Sequence, residues 1–109
     1  TELLPELVAA CSDFRRRGVF NCLLSDGDWL FSFCTTNLAF ITRRAPFGPA
    51  QLKDAELTVN FQAETTPSDV VTVLATEALT ANEPWTLFAP GQWRLWRGGE
   101  CVASGMATD

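Results

Sequence analysis

The hydrophobic and polar positions of residues 19–34 predict two β-strands joined by a tight turn. The turn is expected at Asp26-Gly27, because this dipeptide readily supplies the positive φ angles of a two-residue hairpin. Apolar residues fall on both faces of each strand, as where Leu23 stands between Cys22 and Leu24. A hairpin with one face in water would instead alternate apolar and polar residues. We therefore expect this hairpin to be covered on both sides.

The amino-terminal residues have the periodicity of an amphipathic helix. Apolar side chains recur at three- and four-residue spacing and form one stripe, made of Leu4, Leu7, Val8, Cys11 and Phe14. The polar residues expected to face away from it are Glu6, Ser12, Asp13 and Arg15. Pro5 is compatible with a first helical turn, and Gly18 is expected to end the helix. The helix is predicted to cover one side of the sheet.

Further strands are expected along the rest of the chain. Residues 38–43 are predicted to form a third strand adjacent to the hairpin, and residues 56–61 alternate as an edge or half-exposed strand does. The β-branched run Val70–Ala75 is predicted to be a central strand buried on both faces. Gln92–Arg97 is expected to turn at Gly98-Gly99 and to return over residues 100–103. The connecting residues 44–49, 65–68 and 80–84 are predicted to be loops. The predicted fold class is α+β, with mostly antiparallel strands and one amino-terminal helix.

Composition narrows the possible partners. A chain of 109 residues is one domain or part of one. Its net charge of −5 argues against nucleic acid as a partner, because no basic stripe is present to neutralise phosphates. No apolar run is long enough to cross a bilayer, and no segment resembles a signal peptide. We therefore expect a cytoplasmic protein with no membrane partner.

The cysteine and histidine content argues against metal, cofactor and triad chemistry. The four cysteines show no C-x-x-C spacing, and the chain has no histidine. A zinc site needs closely spaced ligands, usually with imidazole, so neither a metal nor a cofactor is expected. The missing histidine also rules out Ser-His-Asp and Cys-His arrangements. Free thiols among apolar neighbours are expected to be reduced, buried and inert, which applies to Cys11, Cys22, Cys34 and Cys101.

A few residues resemble parts of a functional site, and each has a simpler structural explanation. Thr1 resembles an amino-terminal nucleophile, but such nucleophiles begin a strand and the residues after Thr1 predict a helix. Asp26 and Asp28 resemble a carboxylate pair, although an aspartate before glycine is typical of a turn. Glu83, beside Asn82, resembles a binding residue, but a loop glutamate more often caps its own backbone.

Three tryptophans offer a possible aromatic binding platform, namely Trp85, Trp93 and Trp96. Tryptophans in the strands of a small domain more often pack in the core or between layers. No other residues converge on the three, so the sequence favours the packing role.

Several longer stretches together resemble a known family. They are GVFNCLLSDG at 18–27, CTTNL at 34–38, ITRRAPFG at 41–48, TTPSDVVTVLAT at 65–76, LTANE at 79–83 and PGQWRL at 90–95. The resemblance runs in order from about Leu3 to Val102. These stretches are similar to the carboxy-terminal half of class II glutamine amidotransferases, in particular the free-standing, YafJ-like bacterial type with no fused synthase domain.

The resemblance implies a four-layer αββα fold of the amino-terminal-nucleophile hydrolases, with two antiparallel sheets stacked between helices. In that family an amino-terminal cysteine attacks the side-chain amide of glutamine, with its own α-amine as the base. An Asn-Gly pair forms the oxyanion hole, and an arginine and an aspartate hold the substrate. These motifs all correspond to positions before Thr1, and Asn82-Glu83 does not match the Asn-Gly pair. The resemblance therefore assigns no catalytic residue, no cofactor site and no metal site to this chain.

Residues 1–109 are accordingly expected to be the carboxy-terminal part of one amidotransferase domain and to be inactive alone. The expected partner is the amino-terminal half of the same domain, and an exposed apolar surface is expected to favour self-association. The complete form would hydrolyse glutamine to glutamate and ammonia. One alternative is hydrolysis of another γ-glutamyl amide, and a second is a stand-alone β-rich binding or scaffold module without catalysis.

Overall fold

The structure is a computed structural model that describes residues 2–44, 49–51, 58–60 and 70–107. Within these ranges the chain forms one helix and nine strands. In chain order they are α1 (Leu4–Arg15), β1 (Cys22–Ser25), β2 (Trp29–Phe33), β3 (Ala39–Arg44), β4 (Pro49–Gln51), β5 (Thr58–Asn60), β6 (Val70–Ala75), β7 (Thr86–Leu87), β8 (Gln92–Arg97) and β9 (Glu100–Met106). Every strand pairing is antiparallel, which confirms the predicted α+β class.

Helix α1 confirms the predicted apolar stripe with two differences. Leu4, Leu7 and Val8 pack with buried Cys11 against the sheet, and Pro5 lies in the first turn, where its missing N–H is not needed. Ser12, which was expected to face away, is buried, and its Oγ is satisfied by donating a hydrogen bond to the Val8 carbonyl 3.0 Å away. Phe14 is half-exposed, with its ring centroid 5.3 Å from that of Phe20.

The first sheet has the strand order β1-β2-β8-β9, and its first two strands form the predicted hairpin. The turn differs by one position from the prediction. The Asp26 amide donates to the Trp29 carbonyl, so the two central residues are Gly27 and Asp28. Gly27 has a φ of 94°, and among the described residues all those with a positive φ are glycines. Glycine at the first central position is typical of a type II′ turn.

The second sheet has the order β6-β3-β7, and it corrects two predictions. Strand β3 is not adjacent to the hairpin, because β8 occupies the free side of β2 and β3 pairs with β6 and β7. Strand β6 has the predicted bounds, but within the described residues β3 is its one neighbour, and Val71 is 43% exposed. A β-branched apolar run indicates a strand without telling a central strand from an edge strand.

Two separate hydrophobic clusters lie on the two faces of the first sheet. The cluster on the helix side is centred on Cys11, Phe31, Phe33, Leu95 and Ala107. The cluster on the other side joins residues of both sheets, including Cys34, Leu38, Phe40, Leu74, Phe88 and Trp96. The first sheet is therefore the middle layer of a helix–sheet–sheet stack, as the two-sided apolar pattern of the hairpin predicted. An outer helix on the second sheet, the fourth predicted layer, stays a prediction.

The strands of the first sheet expose unequal amounts of apolar surface. Phe31 and Phe33 in β2 are buried, whereas Leu23 and Leu24 in β1 are about half exposed, at 49% and 50%. The cover expected on both sides of the hairpin therefore holds for β2 and not for the edge strand β1. Strand β9 is the opposite edge and extends to Met106, beyond the predicted end at residue 103.

Other predicted segments lie partly or wholly outside the described residues. Of the strand expected at 56–61, the described part is β5, which pairs with β4. Of the loop expected at 44–49, Arg44 is the last residue of β3 and Pro49 the first of β4, and residues 45–48 lie outside the described ranges. The loop expected at 65–68 lies outside the described ranges, as does Thr1.

The β8–β9 turn provides a matched test of close approach between the sheets. Gly98 and Gly99 both have positive φ, 58° and 82°, as the predicted two-residue turn requires. A Cβ added at Gly99 would lie 2.5 Å from the Val70 carbonyl oxygen of β6, whereas one at Gly98 would meet nothing within 4 Å. Only Gly99 is therefore constrained by contact with the second sheet.

We expect Gly98→Ala to lower the free energy of unfolding by about 1 kcal/mol, the cost of a left-handed φ for alanine. Gly99→Ala should lower the free energy of unfolding by more than about 2 kcal/mol, because the added Cβ would also overlap with the Val70 carbonyl. Urea unfolding followed by tryptophan fluorescence measures both. Equal losses in the two variants would contradict the close approach of the β8–β9 turn to β6.

Candidate functional site

Glu83 is the centre of a polar cluster on the outer face of the second sheet. Its carboxylate accepts two hydrogen bonds from the Arg43 guanidinium of β3, at 2.8 and 2.7 Å. The Thr80 hydroxyl donates a third at 2.9 Å and accepts one from Trp85 Nε1 at 2.8 Å. The side chains of Arg43 and Glu83 are only 12% and 15% exposed. The prediction that Glu83 caps its own backbone is therefore wrong, because it binds Arg43 instead.

The Thr80–Glu83 pair has the form of a hydroxyl nucleophile beside a carboxylate base, but its electrostatics oppose that role. The hydrogen bond from Arg43 lowers the pKa of Glu83 most, burial opposes the shift, and the Thr80 bond lowers it further. A carboxylate stabilised in its charged form is a weak general base. Thr80 is also only 3% exposed, so a substrate has no path to its hydroxyl. The cluster fastens the 80–85 segment to β3.

Asp26 and Asp28 serve the hairpin turn and do not form a carboxylate pair. Asp26 Oδ1 accepts from the amides of Asp28 and Trp29, at 2.9 and 2.8 Å. The bond from Trp29 and then that from Asp28 lower the pKa of Asp26 below its usual value. Asp28 lies 3.4 Å from Arg97 in an exposed ion pair. These contacts support the structural role expected for both residues.

The three tryptophans do not form a platform, because each lies in a different layer. Trp93 packs in the cluster on the helix side, with its ring centroid 6.4 Å from that of Phe31. Trp96 is 3% exposed and lies between the sheets. Trp85 belongs to the Glu83 cluster. Packing, as the sequence favoured, accounts for Trp93 and Trp96, whereas Trp85 is held by its hydrogen bond to Thr80.

The four cysteines are all free, but they are not all buried. Cys11 and Cys34 are buried and Cys22 is partly buried, and burial raises the pKa of each of these thiols. Cys101 is exposed on the edge strand β9, 3.5 Å from Arg94 Nη1. The prediction of burial is wrong for Cys101, because this residue lies at a sheet edge, which local apolar neighbours do not reveal.

A cavity of about 240 Å³ opens between the β1–β2 turn and the β8–β9 turn, at one end of the space between the sheets. Trp29, Trp96 and Thr72 line it, with Asp28 and Arg97. The Arg97 guanidinium is 3.4 Å from Asp28 and stacks over the Trp29 ring at 5.0 Å. These charged groups already satisfy each other. The cavity therefore offers a ligand a concave aromatic surface, because the charges of Asp28 and Arg97 are paired with each other.

Asn21 is a structurally important residue that the sequence did not single out. Its Oδ1 accepts from the amides of Thr35 and Thr36, at 2.8 and 3.3 Å. Its Nδ2 donates to Thr36 Oγ1 and to the Asn37 carbonyl. The side chain thus holds the turn that carries the chain from the first sheet to the second. A polar residue inside an apolar strand pattern was the available signal.

No group of three or more histidine, cysteine, aspartate or glutamate residues in the described ranges is placed to hold a metal ion. No helix in the same ranges is long and apolar enough to cross a membrane.

Comparison with a solved structure relates this fold to a known class. The 2.0 Å crystal structure of a predicted glutamine amidotransferase from Pseudomonas aeruginosa PA01 matches with a TM-score of 0.81 at 68% identity. The match covers 93% of this chain and 40% of that chain. The layered sheets described above are thus a glutamine amidotransferase fold.

Sequence comparison identifies the family. The family model for class II glutamine amidotransferases matches residues 1–109. YafJ of Escherichia coli (strain K12) is 51% identical over 96 residues, which are 88% of this chain and 38% of YafJ. A Haemophilus influenzae relative is 32% identical over 107 residues, which are 98% of this chain and 36% of the relative. The chain belongs to the class II glutamine amidotransferases, and it spans about two fifths of the length of these relatives.

The Arg43–Glu83 pair predicts a pH-dependent contribution to stability. Glu83→Gln should lower the free energy of unfolding by about 2 kcal/mol at pH 7, because it removes a carboxylate that forms two charge-assisted hydrogen bonds with the largely buried Arg43 side chain. The pKa of Glu83 is lowered in the folded state. The contribution is therefore present above the unfolded pKa of about 4.3 and is lost as the pH falls through the folded value.

Urea unfolding at several pH values checks this expectation, with Glu100→Gln as the matched control. Glu100 also pairs with an arginine, Arg44, but those side chains are 43% and 58% exposed. Solvent screening should leave little change in the control. A loss that is the same in both variants, or a loss at Glu83 that does not shrink in acid, would contradict the role assigned to the Glu83 cluster.

Proposed function

We propose that this chain is the structural, non-catalytic part of a class II glutamine amidotransferase domain. The observation that carries the proposal is the combination of two matches. The family model covers residues 1–109, whereas the same residues correspond to only 36–40% of the relatives. The remaining part of the domain would supply the catalytic residues.

The polar contacts of the described residues support a structural role. The carboxylates best placed for chemistry, Glu83 and Asp28, are each paired with an arginine. Asp26 is occupied by backbone amides of its own turn. Thr80, the hydroxyl beside Glu83, is inaccessible to a substrate. These groups are held in structural contacts or are buried, whereas a catalytic acid or nucleophile must be within reach of the reacting atoms of the substrate.

The exposed apolar residues support the presence of a partner surface. Leu23 and Leu24 on edge strand β1 and Val102 and Met106 on edge strand β9 are each about half exposed, between 49% and 52%. Edge strands with exposed apolar side chains readily pair with another polypeptide segment. We assign these edges to contact with the rest of the domain, and we expect the isolated chain to self-associate through them.

In the complete domain the proposed reaction is hydrolysis of glutamine by an amino-terminal cysteine. The thiolate would add to the side-chain carbonyl carbon, and ammonia would leave with a proton returned from the α-ammonium group. Water would then cleave the thioester to release glutamate and regenerate the thiol. In this scheme residues 1–109 contribute the stacked sheets that hold the catalytic part in position.

A chimaera tests the proposal directly. Residues 1–109 replace the matching 40% of the Pseudomonas aeruginosa protein, and glutamate release from glutamine is measured for the chimaera, the parent and the isolated chain. We expect activity in the chimaera and parent, none in the isolated chain, and loss of activity when the amino-terminal cysteine of the chimaera is changed to alanine. Hydrolysis by the isolated chain would refute the non-catalytic assignment.

The same experiment separates the alternatives. A parent and chimaera that hydrolyse other γ-glutamyl amides but not glutamine would identify the second substrate class. An isolated chain that is monodisperse by light scattering would indicate a self-sufficient module and contradict the proposed partner surface. A folded but inactive chimaera of an active parent would contradict the structural equivalence of residues 1–109.

A further inference from the structure

Two of the four cysteines lie together beneath the helix. Cys11 is 3% exposed and belongs to the cluster between α1 and the first sheet. Cys22 begins β1 directly opposite Phe33, which is in the same cluster. Because residues that pair across antiparallel strands point to the same face, Cys22 points toward α1. Each thiol also influences the pKa of the other, which is consistent with two neighbouring sulfurs.

The remaining cysteines are placed elsewhere, so the pairing of Cys11 with Cys22 is specific. Cys34 lies in the cluster between the two sheets, on the opposite face of the first sheet. Cys101 lies on β9, at the far edge of that sheet from β1, and contacts Arg94. Cys11 on the helix and Cys22 on edge strand β1 are therefore the two cysteines that can pair. The polar contacts proposed above for the amidotransferase role use neither of them.

From this juxtaposition we infer that Cys11 and Cys22 are an oxidisable dithiol that closes to a disulfide and fastens helix α1 to strand β1. The oxidant class is a small hydroperoxide. The partly exposed Cys22 sulfur attacks one peroxide oxygen, which gives a sulfenic acid and, from hydrogen peroxide, one water. The Cys11 sulfur then attacks the Cys22 sulfur and displaces the hydroxyl group as a second water. Two thiols lose two protons and two electrons, and one peroxide is reduced to two waters.

The surroundings of the pair determine its rate and its consequence. Burial raises the pKa of both thiols, that of Cys11 to about 11. Mostly protonated thiols react slowly, so the pair responds to sustained oxidant and not to a brief pulse. The bond would close a short loop and join the helix covalently to an edge strand that is otherwise partly exposed. Such a cross-link stabilises the folded state by restricting the unfolded chain.

Peptide mapping after oxidation tests the inference, which does not depend on the amidotransferase role. The isolated chain and the chimaera are incubated with hydrogen peroxide, blocked with a thiol reagent and digested with trypsin without reduction. Cleavage after Arg15 and after Arg17 separates Cys11 from the peptide 18–43, which carries both Cys22 and Cys34. Fragmentation of the linked peptide in the mass spectrometer therefore assigns the bond to one of these two. We expect a linked Cys11–Cys22 peptide about 2 Da lighter than the sum of its two reduced peptides, restored by a reducing agent. The melting temperature should rise on oxidation by about 5 °C.

Two variants complete the test. Cys22→Ala should abolish both the linked peptide and the rise in melting temperature, and Cys101→Ser should leave both unchanged. Oxidation of Cys101 shows that enough oxidant was present. If Cys11 and Cys22 then remain free thiols or become sulfinic acids, the inference is overturned, and a disulfide from either residue to Cys34 or Cys101 would also overturn it. If the chimaera is inactive but forms the linked peptide, the proposed function fails and the dithiol stands.

Discussion

The structure depends on burying strands β2 and β8 on both faces at once. Phe31, Phe33 and Leu95 face the helix, and Trp96 faces the second sheet. The buried hydroxyl of Ser32 donates to the Arg94 carbonyl and accepts from Trp96 Nε1, each at 2.9 Å. A buried indole N–H without that acceptor would be costly. The helix and the second sheet both pack against these two strands.

This constraint explains where polar chemistry occurs in the chain. Both faces of the first sheet are mostly apolar, although Arg94 of β8 lies between the sheets with its guanidinium 4.6 Å from the centre of the Phe40 ring. The other charged side chains of the described strands lie at the turns, the edges and the outer face of the second sheet. There they pair with each other, as Glu83 does with Arg43 and Asp28 with Arg97. A chain arranged in this way provides a rigid layered support, which fits its membership of the amidotransferase family and our proposal that catalysis belongs to the rest of the domain.

The sequence predicted the local features of the fold better than their arrangement. The two-sided apolar pattern of 19–34 correctly indicated a middle layer, and Val70–Ala75 and Gln92–Arg97 were predicted at their observed bounds. Periodicity does not record which strands become neighbours, so β3 was placed in the wrong sheet. The Arg43–Glu83 contact joins residues far apart in the chain, and composition gives no signal for such a pair. Exposure of Cys101 likewise depends on strand order.

Native-state hydrogen exchange is the most direct measurement of the middle-layer claim. Strands β2 and β8 each pair on both sides and are covered on both faces, so their amides should exchange only through global unfolding. The amides of edge strand β1 should exchange faster, through local opening. The highest protection is expected at Phe31, Ser32 and Leu95. Exchange of these amides as fast as those of Leu23 and Leu24 would contradict it.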